Sequence, residues 1–248
     1  MSKVVLITGA SRGIGAACAL LCAQQGYAVA VNYAANSLAA DEVVRQIRAA
    51  GGQAMAIQGD VAQEADVLHM FDKVDAKFGR LTALINNAGV VDQASRVDAM
   101  TLARWQRMFE INVFGSFLCA REAVKRMSTR YGGQGGAIVN LTSAAAKLGA
   151  PGQYVDYAAA KGAIDSFTIG LAKEVALEGI RVNSVRPGII ETDIHASGGL
   201  PNRAREMAPQ VPMQRAGSAL EVAEAVVWLL GDKASYTTGT VIDVAGGR

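Results

Sequence analysis

Short apolar runs recur along the chain, and segments with helical periodicity separate them. The run at 4–7 is apolar at every position and rich in β-branched residues. A strand that is buried on both faces, as in a parallel sheet, has this composition. Similar runs predict further strands at 28–32, 53–57, 82–85, 137–141, 182–185 and 240–244. The intervening segments predict helices at 16–25, 38–50, 64–78, 102–127, 155–178 and 219–230.

The alternation of strands and helices predicts an α/β fold. Its form is a doubly wound parallel sheet, or Rossmann fold, with helices on both faces. A length of 248 residues allows one large domain or two small ones. Because no repeat, linker or low-complexity stretch divides the sequence, we expect a single domain over residues 1–248.

The segment 190–212 fits neither pattern. It contains His195, two glycines and three prolines. Long irregular loops in compact domains are often lids or binding loops. This segment follows a strand at the carboxyl end of the predicted sheet, where ligands bind in such folds. We therefore expect a substrate lid near 190–212, and the alternative is a disordered surface insert.

Composition and charge exclude several classes of protein. The 24 basic and 22 acidic residues give a formal charge of +2, which makes no electrostatic case for nucleic acid or an anionic membrane. The three cysteines, Cys18, Cys22 and Cys119, favour structural thiols in a reducing compartment over a disulfide or metal pair. The first apolar run is too short for a signal peptide, and no run approaches a membrane span. We expect a cytoplasmic protein.

The first predicted strand runs directly into a glycine-rich turn at 8–15. Gly9 permits a tight turn, Gly13 lets the backbone approach a pyrophosphate, and Gly15 lets the following helix pack closely on the strand. The N-terminus of that helix presents N–H groups and the positive end of its dipole to an anion. A glycine cluster between a buried strand and a helix therefore indicates a dinucleotide-binding turn.

A tyrosine and a lysine lie four residues apart on the helix predicted at 155–178. This spacing places Tyr157 and Lys161 on one helix face. A nearby ammonium favours the phenolate and lowers the pKa of the tyrosine from about 10. A phenol tuned in this way can exchange a proton with an alcohol or carbonyl oxygen, and the upstream Ser143 hydroxyl can hold the same oxygen. The alternative is an ordinary surface pair.

The inventory of side chains argues against two other enzyme classes. The sequence has no Gly-x-Ser-x-Gly elbow, and only His69 and His195 are available as a histidine base for a hydrolase. No Cys/His cluster has the spacing of metal ligands, which argues against a metal-dependent alcohol dehydrogenase.

Five motifs follow one another in the order and at the spacing of one enzyme family. They are the turn at 8–15, Asp60 with Val61, the run Asn86-Asn87-Ala88-Gly89, Asn112 with Ser143, Tyr157 and Lys161, and the segment 187–192. On these motifs the chain resembles the short-chain dehydrogenases/reductases over essentially its whole length. It is similar in particular to sugar-dehydrogenase-like and 3-oxoacyl-reductase-like members.

The resemblance implies roles for four residues. Tyr157 is expected to be the general acid and base. Lys161 is expected to lower its pKa and to bind the ribose hydroxyls of the cofactor. Ser143 would orient the substrate carbonyl and stabilise developing charge. Asn112 would hold, through its backbone, a water that links Lys161 to solvent.

The resemblance also implies an activity. We expect an NAD(P)-dependent oxidoreductase that transfers a hydride between a nicotinamide cofactor and a small-molecule carbonyl or alcohol. One alternative is a catalytically silent, cofactor-binding regulatory protein of the same fold, which should have lost the serine, the tyrosine or the lysine. Another is an epimerase or dehydratase acting on nucleotide sugars, but those enzymes resemble longer chains with a differently spaced glycine motif.

The cofactor is expected to place its pyrophosphate on the turn and its nicotinamide carboxamide at the segment 187–192. The resemblance implies that Asp60 and Val61 contact its adenine. The full set of residues expected to bind it is Gly9, Ser11, Arg12, Gly13, Ile14, Gly15, Asn32, Tyr33, Asp60, Val61, Asn87, Ala88, Gly89, Tyr157, Lys161, Pro187, Gly188, Ile190 and Thr192.

We expect NADP(H) to be preferred over NAD(H). A carboxylate after the second strand usually binds the adenosine ribose of NAD. Here that place holds Asn32, Tyr33 and Ala34, and no acid occurs before Asp41. Arg12 in the turn can pair with a 2′-phosphate, the alternative being a solvated loop arginine. Asn32→Asp combined with Arg12→Ala is expected to reverse the preference.

Small residues recur every four positions on the helix that carries Tyr157, at Gly162, Ser166 and Gly170. They allow close packing within the chain, or the approach of the same helix from a second subunit. The family resemblance favours the second explanation and implies a homotetramer, or at least a dimer.

Overall fold

The computed structural model describes residues 3–194 and 198–248, so His195 of the predicted lid lies outside the described residues. The strands are β1 (Lys3–Ile7), β2 (Tyr27–Tyr33), β3 (Ala54–Gln58), β4 (Ala83–Asn86), β5 (Gly136–Leu141), β6 (Ile180–Pro187) and β7 (Val241–Val244). Within the described ranges they form one parallel sheet in the order β3-β2-β1-β4-β5-β6-β7. Each strand overlaps a predicted one, which confirms the parallel α/β fold.

Helices connect the strands and cover both faces of the sheet. They are α1 (Gly13–Gln24), α2 (Ser37–Ala49), α3 (Glu64–Phe78), α4 (Leu102–Phe109), α5 (Gly115–Met127), α6 (Ala145–Leu148), α7 (Val155–Val175), α8 (Arg203–Met207) and α9 (Ala219–Leu230). Short 3₁₀ turns occupy Val97–Ala99, Thr129–Tyr131, Ala176–Glu178, Ala208–Gln210 and Asp232–Ala234. No helix in the described ranges has both the length and the apolarity needed to cross a bilayer.

The central strand β1 explains the apolar runs. Val5 and Ile7 enter one hydrophobic cluster with residues of α1, α2 and α9. Val4 and Leu6 point to the other face and pack with residues of α3, α5 and α7. Since successive side chains of a strand alternate between faces, a strand covered on both sides must be apolar throughout.

The three cysteines are free thiols within this core. Burial raises the pKa of both Cys18 and Cys119 to about 12. Burial also raises the pKa of Cys22 well above its usual value, and Cys18 adds to that increase. Such thiols are poor nucleophiles, so the prediction of structural thiols is confirmed.

Two segments differ from the predicted pattern. The helix expected at 102–127 is interrupted by a π-helical turn, Glu110–Phe114, which separates α4 from α5. The segment 190–212 is not wholly irregular, because it contains the five-residue helix α8 and a 3₁₀ turn. A helix of five residues is too short to show a clear periodicity, and the Gly and Pro residues around it are typical of a loop. Ile190 anchors the start of the segment through a parallel bridge to Gly217.

Candidate active site

A cleft runs along the carboxyl ends of the strands, where the order reverses between β1 and β4. It consists of two adjoining cavities. The β2-side cavity has a volume of about 550 Å³, and the α7-side cavity has a volume of about 470 Å³. Both cavities are bordered by Ile14, Asn87, Gly89, Thr192 and Ile194. All the predicted cofactor-binding residues except Gly15 border one cavity or the other, as does Ser143.

The glycine-rich turn is shaped as the sequence predicted. Gly9 and Gly13 have φ values of +60° and +56°, a region that side chains disfavour. A Cβ at Gly15 would lie 2.6 Å from the Gly9 carbonyl oxygen, so only glycine permits this approach of helix to turn. α1 begins at Gly13, and its first N–H groups are therefore available beside the cleft. This turn fits the pyrophosphate of a dinucleotide.

Thr8 and Asn87 fasten this turn to the end of β4. Asn87 Nδ2 donates to the carbonyl oxygens of Thr8 and Gly9, both at 2.9 Å. The backbone N–H groups of Asn87 and Ala88 donate to Thr8 Oγ1, both at 3.0 Å. The predicted set includes Asn87 and Ala88 but omits Thr8. The sequence does indicate a role for Thr8, because this residue directly precedes Gly9 at the end of a buried strand.

Asn32 does not have the role that the sequence analysis gave it. Its side chain is buried beneath the turn, where Oδ1 accepts from Gly9 N at 3.0 Å. Nδ2 donates to the carbonyl oxygen of Gly59 at 2.9 Å. The amide thus ties the turn to the end of β3 and is not directed at a cofactor ribose. An aspartate here would face carbonyl oxygens, so Asn32 is the wrong position for reversing cofactor preference.

The mouth of the β2-side cavity contains the other predicted contacts to the adenosine end. Tyr33, the last residue of β2, is half-buried there, and Arg12 is exposed. Asp60 Oδ1 accepts from Ala62 N at 2.9 Å and so holds the turn after β3. Val61 is buried and packs closely against Gly115 of α5. A Cβ at Gly115 would lie only 2.6 Å from Val61 Cγ2.

Asn112 lies in the π-helical turn and is fully buried. Its Nδ2 donates to the carbonyl oxygens of Val90 and Met108, both at 3.0 Å, and its Oδ1 accepts from Val90 N at 3.2 Å. The side chain therefore joins the helix to the loop after β4. A Cβ at Gly89 would lie 2.8 Å from Asn112 Oδ1 and 3.4 Å from Lys161 Nζ, so glycine is required between them. The water-binding role expected of the Asn112 backbone remains a prediction.

Lys161 is buried at the base of the α7-side cavity. Its Nζ donates to the Leu141 carbonyl oxygen at 2.8 Å, and Thr142 Oγ1 donates to the Lys161 carbonyl oxygen at 3.1 Å. Burial lowers the pKa of Lys161 to about 8, while Asp165 acts to raise it. Thr142 was missed by the sequence analysis, although it immediately precedes Ser143.

Tyr157 and Ser143 meet on the wall of the same cavity, as predicted. Burial raises the pKa of Tyr157 to about 12, and a side-chain hydrogen bond with Ser143 acts to lower it. The expected lowering of this pKa by Lys161 is therefore wrong for the protein alone. Lys161 Nζ lies 5.7 Å from the centroid of the Tyr157 ring, and desolvation is the main influence on the Tyr157 pKa.

The opposite wall comes from the end of β6 and the segment after it. A Cβ at Gly188 would lie 2.7 Å from Ala245 Cα, so this position admits only glycine. The Pro187 carbonyl oxygen accepts from Ala144 N at 2.8 Å, which links this wall to the loop that carries Ser143. Further along the chain, Arg203 and Met207 of α8 also border the cavity.

Comparison with known proteins assigns the chain to a family. A family model described as Enoyl-(Acyl carrier protein) reductase matches residues 9–248. The Escherichia coli (strain K12) protein named Uncharacterized oxidoreductase YgfF is 56% identical over 245 residues, covering 99% of each chain. The Staphylococcus aureus (strain Mu50) 3-oxoacyl-(acyl-carrier-protein) reductase FabG is 40% identical over 248 residues, covering 100% of this chain and 98% of the relative.

A solved structure of similar fold names the family directly. A Serratia marcescens short-chain dehydrogenase/reductase, determined as a double mutant, has a TM-score of 0.90 at 32% identity, covering 99% of this chain and 97% of that one. The chain belongs to the short-chain dehydrogenase/reductase family. Short-chain dehydrogenases/reductases are oxidoreductases that use nicotinamide cofactors. The cleft of this family member fits such a cofactor, because its glycine turn offers space and backbone donors at the place where dinucleotide folds bind a pyrophosphate.

Proposed function

We propose that this chain transfers a hydride reversibly between a nicotinamide cofactor and a small-molecule carbonyl or alcohol, with Tyr157 as general acid and base. The observation that carries the proposal is the grouping of Ser143, Tyr157 and Lys161 around one cavity, beside the turn that fits a dinucleotide. A hydroxyl, a phenol and an ammonium together supply the donors that a carbonyl oxygen needs as it gains negative charge.

The cofactor would be held along the cleft by residues of this chain. Gly9, Gly13 and the N-terminus of α1 would bind its pyrophosphate. Asn87 and Gly89 would line its middle portion, and the 187–192 segment would bind its carboxamide. A bound nicotinamide supplies or accepts the hydride.

The chain's own residues complete the reaction. During reduction the Tyr157 hydroxyl gives its proton to the substrate oxygen, and Ser143 donates a hydrogen bond to the same oxygen. The carbonyl carbon gains a hydride and its oxygen gains a proton, so the product is an alcohol. A raised tyrosine pKa keeps this proton in place at neutral pH. During oxidation the same groups act in reverse, and Tyr157 accepts the proton that the alcohol loses.

The alternative, a silent regulatory protein, is not favoured. Such a chain would be expected to have lost part of the acid–base group, whereas Asn112, Ser143, Tyr157 and Lys161 are all present and border or support one cavity. The buried thiols are consistent with the proposed cytoplasmic location, where disulfides are rare. The segment near 190–212 is proposed to act as the substrate lid of the single domain.

NADP(H) is the proposed cofactor, with NAD(H) disfavoured. β2 ends in Tyr33, and Ala34 and Asn36 follow along the cavity, so no carboxylate occupies the place that binds the NAD ribose. Arg12 borders the same cavity and offers a guanidinium to a 2′-phosphate.

The test compares two tyrosine variants on a panel of carbonyl compounds with NADPH and NADH. Tyr157→Phe should lower kcat by about 10²–10⁴-fold, because a general acid is lost. It should leave cofactor affinity, measured by calorimetry, nearly unchanged. Tyr236→Phe is the matched control, because Tyr236 is fully exposed. Near-normal turnover by Tyr157→Phe would refute the assignment, and cofactor binding with no turnover of any carbonyl would favour the regulatory alternative.

A further inference from the structure

The charged side chains that line the α7-side cavity are all basic. Three basic side chains border it, namely Lys161, Arg203 and Arg248. No aspartate or glutamate is among the described residues that line it. Lys161 already has a place in the proposed acid–base group. The two arginines do not, and a cavity that contains unbalanced cations attracts negative ligands.

Arg248 has unused hydrogen-bonding capacity. Its Nη1 is buried and has no hydrogen-bond partner. Within the described part of the chain its guanidinium forms no salt bridge. Buried polar groups are nearly always paired, and an arginine donates through five N–H bonds. Because no described side chain pairs with this guanidinium, Arg248 can direct N–H groups at a ligand in the α7-side cavity that it borders.

The two acidic residues that line a neighbouring cavity with Arg248 have other partners. Glu221 and Asp243 line a neighbouring cavity that Arg248 also borders. Arg215 Nη2 lies 2.6 Å from Glu221 Oε1, and Arg186 Nη1 lies 2.7 Å from Asp243 Oδ1. Since both carboxylates are already paired, neither serves as an ion-pair partner of Arg248.

Arg203 is held at the cavity by contacts with uncharged groups. Its Nη1 donates to Gln153 Oε1 at 2.7 Å. Its guanidinium carbon lies 5.3 Å from the centroid of the Tyr154 ring, a cation–π contact. Neither contact neutralises the charge. Because α8 carries Arg203, this cation belongs to the segment proposed as the lid.

We propose that the substrate carries an anionic group, a carboxylate or a phosphate, which Arg248 binds with assistance from Arg203. This inference rests on the proposed function, since it concerns the substrate of the same site. Guanidinium groups bind carboxylate and phosphate oxygens in bidentate fashion. Much of the remaining wall is apolar, with Leu148, Ile194 and Met207 among its residues. The substrates are thus small oxo-acids, hydroxy-acids or phosphorylated carbonyl compounds.

The experiment uses pairs of carbonyl compounds that differ in charge. Levulinate is paired with methyl levulinate, and dihydroxyacetone phosphate with dihydroxyacetone. The full-length protein should show a higher kcat/KM, by about tenfold or more, for the anionic member of at least one pair. The preferred pair identifies the group as carboxylate or phosphate.

Arg248→Met should lower this anionic-to-neutral ratio about tenfold or more, because a charge-assisted hydrogen bond is lost. A ratio is insensitive to partial loss of folded protein. Arg45→Met is the control and should keep the wild-type ratio, because Arg45 is an exposed residue of α2 paired with Glu42 at 2.6 Å. An equal ratio in wild type and Arg248→Met, or no preference in either pair, would overturn the inference.

Calorimetry of levulinate and of inorganic phosphate, with NADP⁺ present, supplies a readout that does not depend on turnover. Binding that weakens about tenfold or more in Arg248→Met supports the anion site even if no probe is reduced. If the wild-type protein reduces the neutral probes yet binds neither anion, the anion site is refuted while the proposed function stands.

Discussion

Lys161 Nζ donates a hydrogen bond of 2.8 Å to the backbone carbonyl oxygen of Leu141. This bond joins α7 to the end of β5 and fixes the ammonium beneath Gly89, at the base of the cleft. The charge is held in a buried place, and desolvation lowers the pKa of Lys161 to about 8. Burying the Lys161 ammonium costs folding free energy, but it places the positive charge where the proposed reaction needs it.

The stability of the protein should consequently depend on pH through Lys161. The folded pKa is about 8 and the unfolded value is 10.5. Below pH 8 Lys161 is protonated in both the folded and the unfolded state, so the full free-energy cost of burying its charge applies. Between these pKa values the unfolded state binds more protons, so stability rises with pH. Relative to Lys161→Met, the wild type should gain of order 2 kcal/mol across this interval.

Thermal and denaturant unfolding of the protein alone, at pH 7 and pH 10, measures this change. Lys173→Met is the control, because Lys173 lies on the same helix and is exposed. A wild-type-minus-variant difference that does not vary with pH would contradict the assigned pKa.

Ser143 should control the pH dependence of alcohol oxidation. Oxidation needs the Tyr157 phenolate, and burial raises the pKa of this phenol to about 12 while Ser143 acts to lower it. The kcat/KM for oxidation should therefore rise with pH to the alkaline limit of the assay, and Ser143→Ala should move the rise to still higher pH. Reduction uses the protonated phenol and the Lys161 ammonium, so its kcat/KM should be flat at low pH and fall as pH rises through the Lys161 pKa of about 8. Initial rates in both directions measure this, and an oxidation plateau near pH 7 would contradict it.

Cofactor preference should be set by Arg12 and Tyr33. Arg12→Ala should reduce the ratio of kcat/KM for NADPH over NADH about tenfold, because a charge-assisted hydrogen bond to the 2′-phosphate is lost. Adding Tyr33→Asp should reverse the preference, since the carboxylate repels the phosphate and accepts from the ribose hydroxyls. Arg45→Ala, far from the cleft on α2, should leave the ratio unchanged. A wild-type enzyme that uses both cofactors equally would contradict this prediction.

Asn32→Asp provides a matched comparison. A carboxylate at this buried position would face the Gly59 carbonyl oxygen, which now accepts from Asn32 Nδ2 at 2.9 Å. The variant should lose of order 1–3 kcal/mol of stability, measured by denaturant unfolding, rather than change its cofactor.

Assembly should be sensitive to the small residues of α7. A Cβ at Gly162 or Gly170 would meet no atom of this chain within 4 Å, so folding of the single chain does not require glycine there. In a monomer each alanine replacement should stabilise the helix by about 0.5–1 kcal/mol. In the homotetramer or dimer that the family resemblance implies, the added methyl groups should instead weaken the contact between subunits. Light scattering decides, and a wild-type mass of 25.8 kDa at micromolar concentration would refute assembly.

The sequence by itself determined the order of the strands and helices and the position of the dinucleotide turn. These features depend on local rules, because a strand buried on both faces must be apolar and a tight phosphate turn must contain glycine. Tyr157 and Lys161 could be paired because a helix has a known repeat. The family resemblance, which the comparisons confirmed, rested on the same local motifs.

Tertiary structure decided the direction of each side chain and its electrostatic surroundings. Asn32 turned inward beneath Gly9, and Asn112 joined a π-helical turn to Val90, because their amides meet backbone groups from distant parts of the chain. The pKa of Tyr157 rose rather than fell, because desolvation depends on everything packed around a group and not on its neighbour four residues away. Tertiary structure also places Arg248 and Lys161 on the same cavity, although they lie more than 80 residues apart in sequence.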